Sequence, residues 1–363
     1  MNKKYLIILT GGTFGSEKGK PTTKESLVLH LKKMIKSLNI NDFEYDIEVP
    51  YIILSENINY NYILKLNNFI EKKINKYKGI LLIHGTDTMA YTSSFLSFNE
   101  NISKNIPIVI TGSNKSAFEE DTDAYINLKH SIISLKFFDK ENINGVYIVF
   151  NGISEKEKTF IHLGSKLKKI TWHGNCYETY NMEKTNYIGF IYKDEIYLNY
   201  DNLFNKIKFF NYKLTEIDEF KFNEQIFYFK ITPTIQKKEI LKINKNTKIV
   251  ILELYGSGTA PEWLAEDIEK LVKFGILVLG ISGSKGGLDL SKYETSQKLE
   301  KAGLISMKNL FLENLLSKSV IGLLNFQNLE NIKKYLLTDI ANEYLYWYKN
   351  FFAFLFDKIF KIR

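Results

Sequence analysis

The feature that constrains the fold most is a short apolar run that recurs along the first half of the chain and ends in a polar turn. Four such runs lie at residues 5–9, 79–83, 106–110 and 145–150. Their apolar residues follow one another without alternation, which is typical of strands buried on both faces of a parallel sheet. The first three runs lead into turns that contain glycine, at residues 10–13, 84–87 and 111–113.

Helical patterns separate these strand-like runs. Residues 26–40 and 61–76 carry apolar side chains at spacings of three and four, which predicts amphipathic helices. Strands that alternate with helices indicate a parallel sheet covered on both faces. The predicted fold class is therefore α/β, with a larger N-terminal domain whose mostly parallel sheet is flanked by helices.

A second set of strand-like runs follows an aromatic, irregular stretch. It begins with residues 248–254 and 275–281, which predicts a smaller C-terminal α/β domain. The last stretch carries Tyr, Trp, Phe and Leu with scattered lysines, a pattern typical of an amphipathic helix. The predicted organisation is an N-terminal domain at 1–195, a linker at 196–225, a C-terminal domain at 226–345 and a tail at 346–363.

Composition argues against several classes of protein. The net charge is +8, but lysines are interleaved with acidic residues, so we expect a solvated surface and no nucleic-acid partner. The single cysteine, Cys176, excludes an intramolecular disulfide, and the histidines show no ligand spacing, so we expect no metal and no cofactor. The first apolar run is too short for a membrane span, which predicts a cytoplasmic protein without membrane contact.

The polar turns carry the candidate chemistry. Thr13, Thr86 and Asp87 each follow an apolar strand, and the carboxyl ends of parallel strands meet at one edge of a sheet. A threonine hydroxyl becomes an effective nucleophile when a lysine or histidine, steadied by a carboxylate, accepts its proton. Gly12 and Gly85 allow backbone amides to approach a substrate closely and to stabilise an oxyanion.

Three motifs in order resemble a known family. Thr-Gly-Gly-Thr-Phe-Gly at 10–15, His-Gly-Thr-Asp-Thr-Met-Ala-Tyr-Thr at 84–92 and Ile-Thr-Gly-Ser at 110–113 are similar to the bacterial L-asparaginases, most closely to the cytoplasmic type I branch. The resemblance covers nearly the whole chain. It continues through residues 123–128, 255–261, 288–294 and 301–306.

The resemblance implies a reaction and a catalytic group. Thr13 matches the nucleophile that attacks the side-chain amide of L-asparagine, forms an acyl-enzyme and releases ammonia before water releases L-aspartate. Thr86 and Asp87 match the second threonine and the aspartate of that group. Its lysine comes from the segment after the fourth strand, where Lys169 is the first candidate and Lys166 or Lys168 are alternatives.

The resemblance also implies a pocket and an assembly. Ser55 matches a serine that holds the substrate α-carboxylate, and Asp87 contacts the α-amino group. Gly12, Gly85 and Ser113 complete the predicted substrate-binding set. The implied substrate is L-asparagine or L-glutamine, and the implied assembly is a homodimer or homotetramer.

Some residues depart from the family pattern. The family carries a tyrosine on the loop after the first motif, but residues 16–25 contain none, and Lys20 stands near its place. Thr259 replaces a frequent asparagine, and Asn114 replaces a usual glutamine.

Two other functions therefore stay open. One is the glutaminase-like subunit of a tRNA-dependent amidotransferase, whose relatives carry an extra N-terminal domain, whereas this chain starts at its first strand. The other is a catalytically silent amino-acid-binding protein.

Overall fold

The computed structural model describes residues 3–17, 19–151, 158–170, 177–179, 187–198, 220–284, 287–344 and 360–361. These residues form two compact units. The first holds the described residues up to 198 together with 360–361, and the second holds those from 220 to 344. Most of the predicted linker, residues 199–219, lies outside the described residues, as does Cys176.

The first unit is built on strands separated by helices. Its strands are β1 (Tyr5–Leu9), β2 (Ser16–Glu17), β3 (Lys20–Pro21), β4 (Tyr45–Glu48), β5 (Gly79–Ile83), β6 (Pro107–Thr111), β7 (Gly145–Asn151), β8 (Lys158–Leu163), β9 (Leu167–Lys169), β10 (Tyr177–Thr179), β11 (Gly189–Tyr192), β12 (Glu195–Leu198) and β17 (Phe360–Lys361). Its helices are α1 (Lys24–Ser37), α2 (Tyr60–Glu71), α3 (Met89–Phe98), α4 (Glu100–Ser103) and α5 (Ala124–Lys140).

The main sheet of this unit has a parallel half and an antiparallel half. Nine described strands follow the order β4-β1-β5-β6-β7-β8-β11-β12-β17. The pairs from β4 to β7 are parallel, and those from β7 onward are antiparallel. The four predicted strands all lie in the parallel half, within one residue of their predicted bounds. The antiparallel extension was not predicted.

Alternate residues of β1 face opposite layers of the core. Tyr5, Ile7 and Leu9 pack with α1 and α5, whereas Leu6 and Ile8 pack with α2 and α3. Side chains of a strand alternate between faces, so a continuously apolar strand requires cover on both. The predicted helices at 26–40 and 61–76 are confirmed as α1 and α2, which begin and end slightly earlier.

The second unit is a smaller α/β layer structure. Its elements are α6 (Phe222–Gln225), β13 (Ile226–Lys230), β14 (Ile249–Leu254), α7 (Leu264–Lys273), β15 (Leu277–Ser282), α8 (Glu294–Lys301), β16 (Ile305–Ser306), α9 (Leu312–Asn325) and α10 (Leu329–Leu337). The four strands pair in parallel in the order β13-β14-β15-β16. One face of β14 packs with α7 and α8, and the other packs with α9 and α10. The predicted smaller C-terminal α/β fold is confirmed.

The C-terminal stretch, which includes the tail at 346–363, was predicted to be an amphipathic helix. Residues 345–359 and 362–363 lie outside the described residues. Phe360 and Lys361 form β17, which pairs with β12 in the antiparallel sense. At these two residues the helix prediction is wrong, because their backbone pairs with a sheet edge. In the described ranges, no helix combines the length and apolar character needed to cross a bilayer.

Candidate active site

The three polar turns leave the sheet at the same level. Leu9 is the register partner of Ile83, and Ile83 is the register partner of Thr111. The Thr10 hydroxyl donates to the Ile83 carbonyl at 3.1 Å, which ties the first turn to the end of β5. The parallel half of the sheet therefore brings the turns at 10–13, 84–87 and 111–113 to one edge, as predicted.

A glycine pair sets the separation of the first two turns. Gly12 has a φ of 75°, and a Cβ built on it would lie 2.2 Å from the Cα of Gly85. No side chain fits at such a distance, and the positive φ also favours glycine. Thr13 and Thr86 each follow one of these glycines, so the two threonines flank the closest approach of the two turns.

Thr13 begins a single 3-10 turn, Thr13–Gly15. The Gly15 amide donates to the Gly12 carbonyl at 3.1 Å, and the Ser16 hydroxyl donates to the Thr13 carbonyl at 2.9 Å. The side chain of Thr13 is half-buried. These hydrogen bonds fix the backbone of Thr13 in the turn that follows β1.

Lys169 joins Thr86 and Asp87. Its Nζ donates to Thr86 Oγ1 at 2.8 Å and to Asp87 Oδ1 at 2.6 Å. The Lys169 side chain is 20% exposed and that of Asp87 is 53% exposed, so solvent reaches the carboxylate of the ion pair more than the amine. The neighbouring Lys168 is exposed. Of the three lysines considered from the sequence, Lys169 is the one that the structure places beside Thr86.

Ser55 holds the turn that carries Asp87. It begins a 3-10 turn, Ser55–Asn57, and is buried. Its Oγ accepts from the Asp87 amide at 3.2 Å and lies 3.4 Å from Asp87 Oδ2. A Cβ on Gly85 would lie 2.5 Å from the same Oγ. The structure therefore brings Ser55, Gly85, Thr86 and Asp87 into one cluster.

The third turn is clamped by side chains from the start of α5. Asp123 accepts from the Asn114 amide at 2.9 Å and from the Lys115 amide at 3.0 Å, and Asn127 Nδ2 donates to the Gly112 carbonyl at 3.0 Å. Ser113 is 1% exposed, and its hydroxyl has no hydrogen-bond partner among the described residues. A buried hydroxyl of this kind usually meets a partner supplied from outside the protein.

His84 is neutral and fully hydrogen-bonded. Its Nδ1 donates to the Gly85 carbonyl at 2.8 Å, so its Nε2 accepts from the Thr92 hydroxyl at 3.1 Å. Burial lowers the pKa of His84 to about 4, although the bond to Gly85 opposes part of that shift. With both ring nitrogens engaged, the imidazole supports the turn and does not serve as a general base.

The loop after Thr13 forms a short hairpin of β2 and β3. The Thr22 amide donates to the Gly15 carbonyl at 3.0 Å, and the Ser116 hydroxyl donates to the Ser16 carbonyl. Lys20, which was predicted to stand near the place of the family tyrosine, is exposed on β3. These two hydrogen bonds hold the base of the β2–β3 hairpin, and Lys20 lies on its second strand, β3.

Sequence reasoning missed one residue of this cluster. Tyr177 lies on β10, next to the strand of Lys169, and its hydroxyl donates to the Thr86 carbonyl at 2.8 Å. The motifs did not indicate it, because the pairing of β9 with β10 cannot be read from such short strands. Across the described ranges, no group of three or more His, Cys, Asp and Glu side chains could hold a metal ion.

Comparison with protein families supports the sequence resemblance over most of the chain. The family model described as Asparaginase, N-terminal matches residues 4–204. The model described as Glutaminase/Asparaginase C-terminal domain matches residues 225–336. The first matched segment contains β1 to β12, and the second contains β13 to β16.

Curated relatives fall into two groups. The D subunit of glutamyl-tRNA(Gln) amidotransferase from Sulfolobus acidocaldarius is 28% identical over 377 residues, covering 99% of this chain and 80% of the relative. The corresponding D subunit from Methanococcus maripaludis is 29% identical over 357 residues, covering 94% and 80%. An L-asparaginase from Thermococcus kodakarensis is 27% identical over 350 residues, covering 94% and 98%.

Solved structures share the fold. L-asparaginase I from Vibrio cholerae superposes with a TM-score of 0.78 at 23% identity, covering 95% of this chain and 100% of that one. The thermostable L-asparaginase from Thermococcus kodakarensis gives a TM-score of 0.76 at 24% identity, covering 94% and 99%. These likenesses confirm the two-domain α/β architecture.

Proposed function

The chain belongs to the asparaginase family, and from that membership we propose that it hydrolyses L-asparagine to L-aspartate and ammonia through a Thr13 acyl-enzyme. The observation that carries the proposal is the bridge from Lys169 to Thr86 and Asp87, beside the Gly12–Gly85 contact. That bridge supplies a hydroxyl, an amine and a carboxylate next to the turn of the candidate nucleophile.

In the proposed first step, the Thr13 hydroxyl oxygen attacks the side-chain amide carbon of L-asparagine. The hydroxyl proton passes to Thr86 Oγ1 while Thr86 passes its own proton to the Lys169 amine, and the resulting ammonium is held by the Asp87 carboxylate. When the tetrahedral carbon collapses, its bond to nitrogen breaks, and ammonia leaves with that proton. The substrate remains joined to Thr13 as an ester. Water then attacks the ester carbon, releases L-aspartate and restores the hydroxyl.

The contacts of Lys169 suit this role. Lys169 Nζ lies 2.8 Å from Thr86 Oγ1, which is close enough for the amine to take the Thr86 proton as Thr86 takes that of Thr13. Asp87 balances the charge of the lysine at 2.6 Å. In this proposal the amides of Thr13 and Thr86, which follow the Gly12–Gly85 contact, donate to the developing oxyanion, as backbone N–H groups in such turns do.

The polar groups around the cluster suit a small amino acid. In this proposal Asp87, whose carboxylate is about half exposed, binds the α-amino group. Ser55 helps to hold the α-carboxylate through the turn that it shares with Asp87. Ser113, on the third turn at the same edge of the sheet, completes the proposed binding set.

The test is ammonia release by the purified protein with L-asparagine, with L-glutamine and without substrate. We expect asparagine-dependent release that Thr13→Ala abolishes, whereas Thr13→Ser retains part of it because the hydroxyl survives. Equal release by the parent and Thr13→Ala would remove Thr13 as the nucleophile. Tight binding of asparagine without release would instead indicate a silent binding protein.

Lys20→Tyr tests the missing lid tyrosine. A lid residue that orients the nucleophile and excludes water acts through positioning and gating. If Lys20→Tyr restores release that the parent lacks, the parent is a silenced member of the family. Comparable release by both proteins would show that the hairpin closes the site without a tyrosine.

A second candidate function is the ammonia-supplying subunit of a tRNA-dependent amidotransferase. It is favoured by the relatives named as D subunits of glutamyl-tRNA(Gln) amidotransferase, of which this chain covers about four fifths. The same threonine chemistry would then deliver ammonia to a partner subunit that carries the charged tRNA. Release that requires such a partner would support this function, whereas full release by the isolated chain would favour the asparaginase.

We also propose that the protein is a cytoplasmic homodimer or homotetramer, as the family resemblance implies. Sedimentation of the purified chain checks the assembly. A monomer at all concentrations would contradict it.

A further inference from the structure

Tyr177 links the strand of Lys169 to the turn of Thr86. In the β9–β10 hairpin it is the register partner of Lys169. Its side chain is 4% exposed, and its ring meets Phe150 edge to face, with centroids 5.3 Å apart. Its hydroxyl donates to the Thr86 carbonyl at 2.8 Å. This carbonyl lies beyond the end of β5, outside the ladder of the main sheet.

The β9–β10 hairpin therefore makes two separate contacts with Thr86. Lys169 reaches the side chain of Thr86, and Tyr177 reaches its main chain. The β9–β10 sheet has two strands of three residues each, and a two-stranded hairpin is at best marginally stable alone. A buried hydrogen bond at this position fixes the hairpin against the Thr86 turn.

The bond matters because the lysine side chain is long and flexible. Lys169 has four side-chain torsions, and fixing them costs conformational entropy. If its backbone also moved, the contact of Nζ with Thr86 Oγ1 would be only one of many arrangements. Holding the backbone within reach of Thr86 removes most of those arrangements.

We propose that Tyr177 is a positioning residue that holds Lys169 Nζ on Thr86 Oγ1. The proposal rests on the proposed function for its effect on rate, but the placement of Lys169 is measurable without activity. Tyr177 does not touch the reacting atoms in this scheme. It acts through the backbone of Thr86 and through its register with Lys169.

The variant Tyr177→Phe removes the hydroxyl and keeps the ring against Phe150. We expect kcat for ammonia release to fall by up to about fivefold, which is the change in the placement of Lys169 that one lost hydrogen bond supports, while KM stays within about twofold. A merely structural role would lower the fraction of folded protein, which also lowers apparent kcat at constant KM. The folded fraction is therefore measured by circular dichroism, and kcat is expressed per folded molecule.

Chemical labelling tests the placement directly. Acetic anhydride at low dose acetylates exposed amines, and mass spectrometry compares Lys169 with the exposed Lys168 of the same strand. We expect Lys169 to label about fivefold faster relative to Lys168 in Tyr177→Phe, because the lost hydrogen bond is worth about 1 kcal/mol. An unchanged ratio would overturn the proposal, whatever the activity.

Tyr147 provides a matched control. It is also buried, at 3% exposure, and its hydroxyl donates to a backbone carbonyl, that of Asn144, at 2.9 Å. Tyr147→Phe should change neither kcat nor the labelling ratio. If Tyr147→Phe changes kcat and the labelling ratio as Tyr177→Phe does, the two variants share a general loss of rigidity, and the proposal fails. If the parent releases no ammonia, the proposed function fails, and the labelling ratio still decides the role of Tyr177.

Discussion

The free energy of unfolding should begin to fall at pH values well above those at which carboxylates titrate, because three histidines are buried. His84, His130 and His162 are at most 6% exposed. Burial lowers the pKa of each to about 4, from 6.5 in the unfolded chain. For His130 the nearby Asp194 opposes part of the shift. The folded protein therefore keeps all three neutral at pH values where the unfolded chain protonates them.

The sign and size of the effect follow from proton linkage. Between pH 6.5 and about 4 the unfolded chain binds one more proton at His84 than the folded chain does. The stability contributed by a neutral His84 is thus fully present above pH 6.5 and is lost as the pH falls toward 4. The slope is about 1.4 kcal/mol per pH unit, so the whole interval removes about 3 kcal/mol per histidine. A domain has only about 5–15 kcal/mol in total.

Urea unfolding at several pH values between 7.5 and 5, followed by circular dichroism, measures this slope. We expect the free energy of unfolding to fall with pH in the parent, and to fall less steeply in His84→Gln by about 1.4 kcal/mol per pH unit. Thr92→Val is the control, because it removes a partner of His84 and keeps the titrating ring. Equal slopes in the parent and His84→Gln would refute the reasoning.

Two other substitutions have clear expected results. Lys318→Met leaves Glu343 as a buried carboxylate without its cation, since both side chains are fully buried and paired. It should lower the free energy of unfolding by about 3–5 kcal/mol, measured by urea denaturation, and an unchanged urea midpoint would contradict this. Gly85→Ala places a Cβ 2.5 Å from Ser55 Oγ, so ammonia release should fall by about 100-fold. Parental activity in Gly85→Ala would show that the turn relaxes without cost.

The sequence predicted the parallel half of the first sheet well, for a physical reason. Strands covered on both faces must be continuously apolar, and β1 and β5 stand out for that pattern. The antiparallel half was missed because its strands are less uniform. β11 and β12 alternate between buried and half-buried residues, and their short runs lack the glycine turns that mark the ends of the parallel strands.

The candidate site was predictable where strand ends dictate it. Thr13, Thr86 and Asp87 follow apolar strands whose register places them at one edge, so their proximity could be inferred from the amino-acid sequence alone. Lys169 was less certain, because its hairpin lies outside the main sheet and the sequence left three lysines open. Tyr177 was missed, because its role depends on a long-range hydrogen bond that no local pattern encodes.

The turns that carry Thr13 and Thr86 and the hairpin that carries Lys169 should therefore respond differently to substitution. Thr13 and Thr86 lie in turns that follow fully buried strands, and the contact of Gly12 with Gly85 fixes their spacing. Damage to that half should cost both stability and rate, because the same packing supports both. Lys169 stands on a three-residue strand that is tied to Thr86 by side chains. Changes in that hairpin should slow the reaction with little loss of global stability, and the amides of β9 should exchange with solvent faster than those of β5.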